Sequence, residues 1–210
     1  MQNLIHDKQP EWPISQITNW VQQNIRKISL AFDLTGGWEV WAQVELGVLM
    51  RGHNPAADRE QPMFQRAPEA HQRAPRFDIW IPKNPNINDC KWDIGIELKV
   101  RLKNEDTLAP FQSRLEDDFH KVVLNEGPKN ASQQLQASTY VVGITHLLAD
   151  VQMIAEELSY SNPQSKYWGK RNKSFPLGNV YYKEVSGVAA DNTELKMYIM
   201  WWRQTWPNNK

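Results

Sequence analysis

Cysteine is almost missing from this chain. Cys90 stands alone among 210 residues, which excludes an internal disulfide framework and a cysteine-based zinc site. A lone thiol fits a reducing compartment, and the cytoplasm is the expected location. Long apolar runs are also missing: no stretch approaches the roughly 20 apolar residues that span a bilayer, so no membrane partner is expected. The opening residues Met1 to Asp7 have neither the basic start nor the apolar run of a secretory leader, and none is expected. Charge of one sign is missing as well. Lys and Arg number 24 and Asp and Glu number 24, so bulk electrostatics announce no nucleic-acid binder, although a local basic groove is compatible with a neutral chain. There is no Gly-x-Ser-x-Gly elbow and no phosphate-binding Gly-rich loop. The histidines (His6, His53, His71, His120 and His146) show no tight metal-ligand spacing. No repeat or long low-complexity segment interrupts the chain.

What is present reads as one soluble globular domain over 1–210, long enough to bury a sizeable core. Ile14, Ile17, Val21, Ile25 and Ile28 recur at helical spacing and predict a helix over 14–29, with Pro13 in its first turn. After Gly36-Gly37, a second helix is expected over 38–50, with Trp38, Trp41, Glu45 and Val48 along one stripe. Residues 51–75 carry four prolines and several arginines and read as loop. Strands are expected over 76–81 and 92–100. A helix over 110–125 follows, then a buried strand over 139–145, a helix over 147–158, and closing strands over 179–185 and 195–203. This alternation implies an α/β sandwich around a mixed sheet. Its core is expected at about 36–146, with an N-terminal helix before it and a helix and strands after.

The chemistry concentrates in two strands. In the second, Trp92, Ile94, Ile96, Leu98 and Val100 are apolar, and Asp93, Gly95, Glu97 and Lys99 fall between them. Side chains alternate faces along a strand, so Glu97 and Lys99 point the same way. In the first, Phe77, Ile79 and Ile81 alternate with Asp78 and Trp80. An antiparallel pairing folded about Ile87–Asn88 sets Asp78 opposite Glu97, within a residue or two of register. Opposed carboxylates repel, and a fold that keeps them together usually supplies a cation. The bland alternative is a solvated sheet face with an ordinary Glu/Lys pair.

Asp78, followed about twenty residues later by Glu97-Leu98-Lys99 on a second strand, resembles the PD-(D/E)XK nuclease superfamily. The resemblance runs from roughly 36 to 145. Its motif is short, and its weight comes from the strand placement, the shared face and the order of the flanking elements. The residue before Asp78 is Phe77 rather than proline, a departure many members share. The resemblance implies a restriction-endonuclease-like αβα sandwich with a central mixed sheet. It further implies that Asp78 and Glu97 are ligands of Mg²⁺, with Mn²⁺ a substitute, and that Lys99 orients water and stabilises developing negative charge. The implied activity is a phosphodiesterase acting on nucleic acid, with DNA the favoured substrate.

The resemblance also implies that a Glu from the preceding helix completes the metal site. Glu45, on the stripe with Trp38 and Trp41, is favoured for that role over Glu39. Its bland alternative is a stripe-edge Glu reaching solvent. On the third helix, which also carries Arg114, Asp117 and Asp118, Gln112 and Lys121 are candidates to contact the phosphate; helix surfaces are normally charged, so neither needs a function. Asp93 lies on the face of Glu97 but ~13 Å away, and reads as structural. Glu60, in the arginine-containing loop, is a minor candidate to approach the site. Trp38 and Trp41 read as core. Trp201, Trp202 and Trp206 stay open between core and interface, with a homodimer contact favoured. Two other functions remain open: a non-catalytic nucleic-acid- or protein-binding module of the same fold, and a metal-dependent hydrolase of a small phosphorylated molecule.

Overall fold

The computed structural model describes residues 4–7, 9–32, 38–62, 76–84, 86, 92–102, 107–119, 122, 137–157 and 180–206. Along the chain these form β1 (Leu4–His6), α1 (Trp12–Ala31), α2 (Glu39–His53), β2 (Asp58–Pro62), β3 (Arg76–Ile81) and β4 (Asp93–Val100). They continue as α3 (Ala109–Phe119), β5 (Ala137–Thr145), α4 (Leu148–Glu157), β6 (Val180–Val188) and β7 (Glu194–Trp206). The strands build one mixed sheet in the order β1-β6-β7-β5-β4-β3-β2. Pairing is parallel between β1 and β6 and between β4 and β5, and antiparallel elsewhere.

Helices cover both faces, so the chain is an α/β sandwich. On one face α1 and α2 pack Ile14, Ile17, Val21, Leu46 and Met50 against Ile94, Ile96, Leu98 and Val100. On the other, Phe111, Leu115 and Phe119 of α3 and Val151 and Ile154 of α4 pack against Val141, Met200 and Trp202. β5 is buried along its whole length. A central strand covered on both faces favours apolar residues throughout, and the polar exceptions in β5, Ser138, Thr139 and Thr145, are small and buried with it. β7 divides its aromatics cleanly, with Trp201 facing the α1/α2 layer and Trp202 the α3/α4 layer. Both residues, left open for an interface by sequence, are therefore core.

Two strands were not anticipated. β1 and β2 are the sheet's two edges, three and five residues long. The β2 sequence Asp-Arg-Glu-Gln-Pro carries no apolar alternation, because an edge strand of this kind buries little. Its Pro62 is tolerated because an edge strand has a side on which a missing N–H breaks no ladder bond. β2 lies inside the 51–75 segment expected to be loop. Helix α2 presents a different face from the one expected. Trp38, Ala42, Leu46 and Met50 are buried, whereas Val40, Val44 and Val48 are exposed. This helix is apolar nearly all round, so its pattern does not select an inward face. Trp41 packs beside Trp20, with ring centroids 5.2 Å apart. Among the described residues no helix is long and apolar enough to cross a membrane.

Candidate metal centre

The site begins where β3 leaves β4. The two strands pair as Ile81↔Ile94, Trp80↔Gly95 and Ile79↔Ile96. One step further along this register, Asp78 falls across from Glu97, the juxtaposition expected from sequence. There side chains take over the edge of β4. Leu98 N donates to Asp78 Oδ2 at 2.8 Å, and Val100 N donates to Glu39 Oε2 at 3.2 Å. The expected parity of β3 breaks at the same place. Phe77 joins the α3/α4 core while Ile79 and Ile81 join the other. The Phe77 ring lies against Gly95, where an added Cβ would meet it at 2.6 Å. Only glycine admits that approach.

Helix α3 reaches the same spot from the far side. Gly143 of β5 is the register partner of Lys99. A Cβ on Gly143 would meet Leu115 at 3.1 Å and Met200 at 3.0 Å, so the absence of a side chain lets α3 pack close. Asp118 follows Leu115 by one turn on the same buried face, and its Oδ2 lies 3.0 Å from Lys99 Nζ.

Asp78, Glu97 and Asp118 offer carboxylate oxygens that all lie within 4.8 Å of one another. Glu97 is fully buried and Asp118 is 6% exposed. Taking carboxylates out of water together is costly unless a cation accompanies them. Lys99 is one such cation, with Nζ also 3.5 Å from Glu39 Oε1 and 3.8 Å from Asp78 Oδ2. Burial alone would lower the Lys99 pKa. The carboxylates of Asp118, Asp78 and Glu39 outweigh that and raise it above its ordinary value. Its charge is therefore retained across the physiological range.

Comparison of the chain with protein-family models, with curated proteins and with solved structures found no match. What the centre can do must be argued from its own geometry.

Of the residues singled out by sequence, Asp78, Glu97 and Lys99 are brought together. Glu45 is not among the clustered carboxylates: it is solvent-exposed on α2. Glu39 is the α2 carboxylate that reaches Lys99. The two glutamates lie roughly 120° apart around a helix of 3.6 residues per turn, so one helix cannot aim both at the site. Gln112 donates to Glu116 Oε1 at 2.9 Å. Lys121 lies outside the described residues. Asp93 accepts Lys83 N at 2.7 Å, the structural use expected of it. Glu60 is exposed, with a left-handed φ of 57°, and the β2–β3 pairing skips it beside Asp78.

From sequence, Asp118 and Arg114 read as ordinary helix-surface charges. A signal for Asp118 was available. It shares the face of α3 that carries Phe111, Leu115 and Phe119, and a carboxylate on an apolar face is costly unless paired. Arg114 carried no such mark: its Nη1 lies 2.6 Å from Glu39 Oε2, a relationship that depends on the tertiary fold. Beyond the cluster, Arg101 forms a buried ion pair with Asp150, and Trp38 Nε1 donates to the Arg101 carbonyl at 3.2 Å. These contacts hold the chain just past Lys99 against α4 and the start of α2.

Proposed function

We propose that the chain is a metal-dependent phosphodiesterase of the PD-(D/E)XK type, with a restriction-endonuclease-like fold and DNA as its substrate. The observation that carries this reading is the convergence of Asp78, Glu97 and Asp118 within 4.8 Å, with Lys99 Nζ 3.0 Å from Asp118 and 3.8 Å from Asp78. The element order supports it. Helix α2 precedes the β3–β4 pair, and α3 leads to β5, which pairs parallel to β4.

The donor set fits a hard cation. All three groups are carboxylates, and oxygen ligands suit Mg²⁺ or Mn²⁺ better than softer metals. Asp78, Glu97 and Asp118 would hold the ion, while Glu39 of α2 supports the site through Lys99. When bound, such an ion supplies charge neutralisation at the scissile phosphate and a water of lowered pKa. The chain's own residues do the rest. Asp118, Asp78 and Glu39 favour the protonated form of Lys99, which as an ammonium would serve as a hydrogen-bond donor and charge stabiliser toward phosphate oxygens. Its ammonium also limits the mutual repulsion of the carboxylates.

Incubation with supercoiled plasmid, single-stranded DNA, RNA and bis(p-nitrophenyl) phosphate tests this, with Mg²⁺ or Mn²⁺ against EDTA. Metal-dependent cutting of DNA that Lys99→Ala abolishes is expected. Turnover confined to the small phosphodiester would favour a small-molecule hydrolase, a reading to which the zero net charge lends some support. No turnover of any substrate by the folded protein would favour a binding module.

A further inference from the structure

The β4 edge left open by β3 is completed by three side chains, those of Asp78, Glu39 and Arg114. Arg114 Nη2 donates to the Val100 carbonyl at 2.9 Å, while Nη1 lies 2.6 Å from Glu39 Oε2. The same Glu39 oxygen accepts Val100 N at 3.2 Å. Val100 thus offers both main-chain groups, its amide to the carboxylate and its carbonyl to the guanidinium, and the carboxylate and guanidinium close the ring between them. One Glu39 oxygen is tied twice. The other, Oε1, faces Lys99 Nζ at 3.5 Å. A planar guanidinium presents nitrogens in a rigid fork and can hold two acceptors at a set angle. A lysine ammonium is a single point of charge on a flexible stem.

We infer that Arg114 is a positioning residue that locks the Glu39 carboxylate onto the end of β4, so that Oε1 faces the Lys99 ammonium beside the metal-holding carboxylates. This rests on the metal-dependent reading above. Arg114 acts through Glu39, so its contribution exists only while Glu39 carries its carboxylate. The fork matters as well as the charge.

Calorimetric titration of Mn²⁺ alone into the full chain tests this, with wild type, Arg114→Met, Arg114→Lys, Glu39→Gln and the Arg114→Met/Glu39→Gln double variant. Circular dichroism and thermal midpoints establish that each is folded. Both Arg114 variants are expected to weaken Mn²⁺ binding by about tenfold, the lower end of the usual cost of losing a ligand's supporting partner. In the Glu39→Gln background, Arg114→Met is expected to add nothing. Equal or tighter Mn²⁺ binding by Arg114→Met would overturn the inference. So would wild-type binding by Arg114→Lys, which would show that charge alone suffices, or an Arg114→Met loss that persists undiminished without the Glu39 carboxylate. Failure of the wild-type chain to bind Mn²⁺ is a different result: it removes the metal-dependent reading, and the latch falls with it.

Discussion

The Lys99 ammonium lies 3.0 Å from Asp118 Oδ2, and the two residues come from different layers of the sandwich. Lys99 stands on β4, in the sheet. Asp118 stands on α3, which packs over that sheet where Gly143 leaves room beside Lys99. Asp78 and Glu39 complete the surround of the ammonium, from β3 and α2. Four elements therefore meet at one charged point.

Replacing Lys99 by Met leaves buried carboxylates without their internal cation. A loss of about 3 kcal/mol is expected, the scale of breaking a buried ion pair. The pH dependence has a definite sign. The folded-state pKa of Lys99 is raised, so its stabilisation is fully present below the ordinary lysine value of 10.5 and declines as pH rises past it. Urea denaturation of wild type and Lys99→Met should show a constant gap from pH 7 to 10, narrowing at pH 11. A gap that widens with alkali would contradict the ion-pair geometry.

Gly143→Val places branched carbons where Leu115 and Met200 already stand, at 3.1 and 3.0 Å from the Cβ position. Overpacking of this kind costs about 1–3 kcal/mol. Moving α3 outward also separates Asp118 from Lys99, so phosphodiester cleavage should fall by more than the stability loss explains. Thermal unfolding and cleavage rate measured on the same sample would test this; full activity in a destabilised variant would show that the α3 approach does not serve the site.

Helix α2 offers a direct comparison of two glutamates. Glu39→Gln weakens the contact with both Lys99 and Arg114, and a drop in activity of roughly 10- to 100-fold is expected, as for residues that orient metal ligands. Glu45→Gln alters an exposed side chain and should leave stability within about 0.5 kcal/mol of wild type, with activity unchanged. The reverse order in a cleavage assay would restore the face of α2 expected from sequence.

A divalent ion that binds the folded chain and not the unfolded one must stabilise it. At a hundredfold excess of free Mn²⁺ over its Kd the gain is about 2.7 kcal/mol. Scanning calorimetry should show the midpoint rising with Mn²⁺ and returning with EDTA. The rise should vanish in Glu97→Gln, which removes the most deeply buried carboxylate of the cluster.

Strand β4 was legible because two local rules agree on it: apolar residues alternate strictly, and the polar set carries Glu97 and Lys99 together. The pairing of β3 with β4 follows from the turn-like composition between them, and Ile79 pairs with Ile96 as expected from sequence; Ile87 and Asn88 lie outside the described residues. Taking tryptophan as the marker of the inward face points to the wrong side of α2, which buries Ala42, Leu46 and Met50. A helix with apolar residues on nearly every side hides its orientation from a periodicity argument. Edge strand β2 was invisible for the complementary reason, that it has almost no apolar pattern. Arg114 lay beyond sequence reading altogether: its meaning comes from Val100 and Glu39, which only the folded chain brings beside it.

The most direct test of the central claim is plasmid cleavage by the wild-type chain and by Glu97→Gln, in Mg²⁺ or Mn²⁺ and in EDTA. Nicking or linearisation by wild type only with metal, and none by a folded Glu97→Gln, is the expected result. Cutting by Glu97→Gln at the wild-type rate, or cutting undiminished by EDTA, would contradict a metal-dependent site built on the β3–β4 carboxylates.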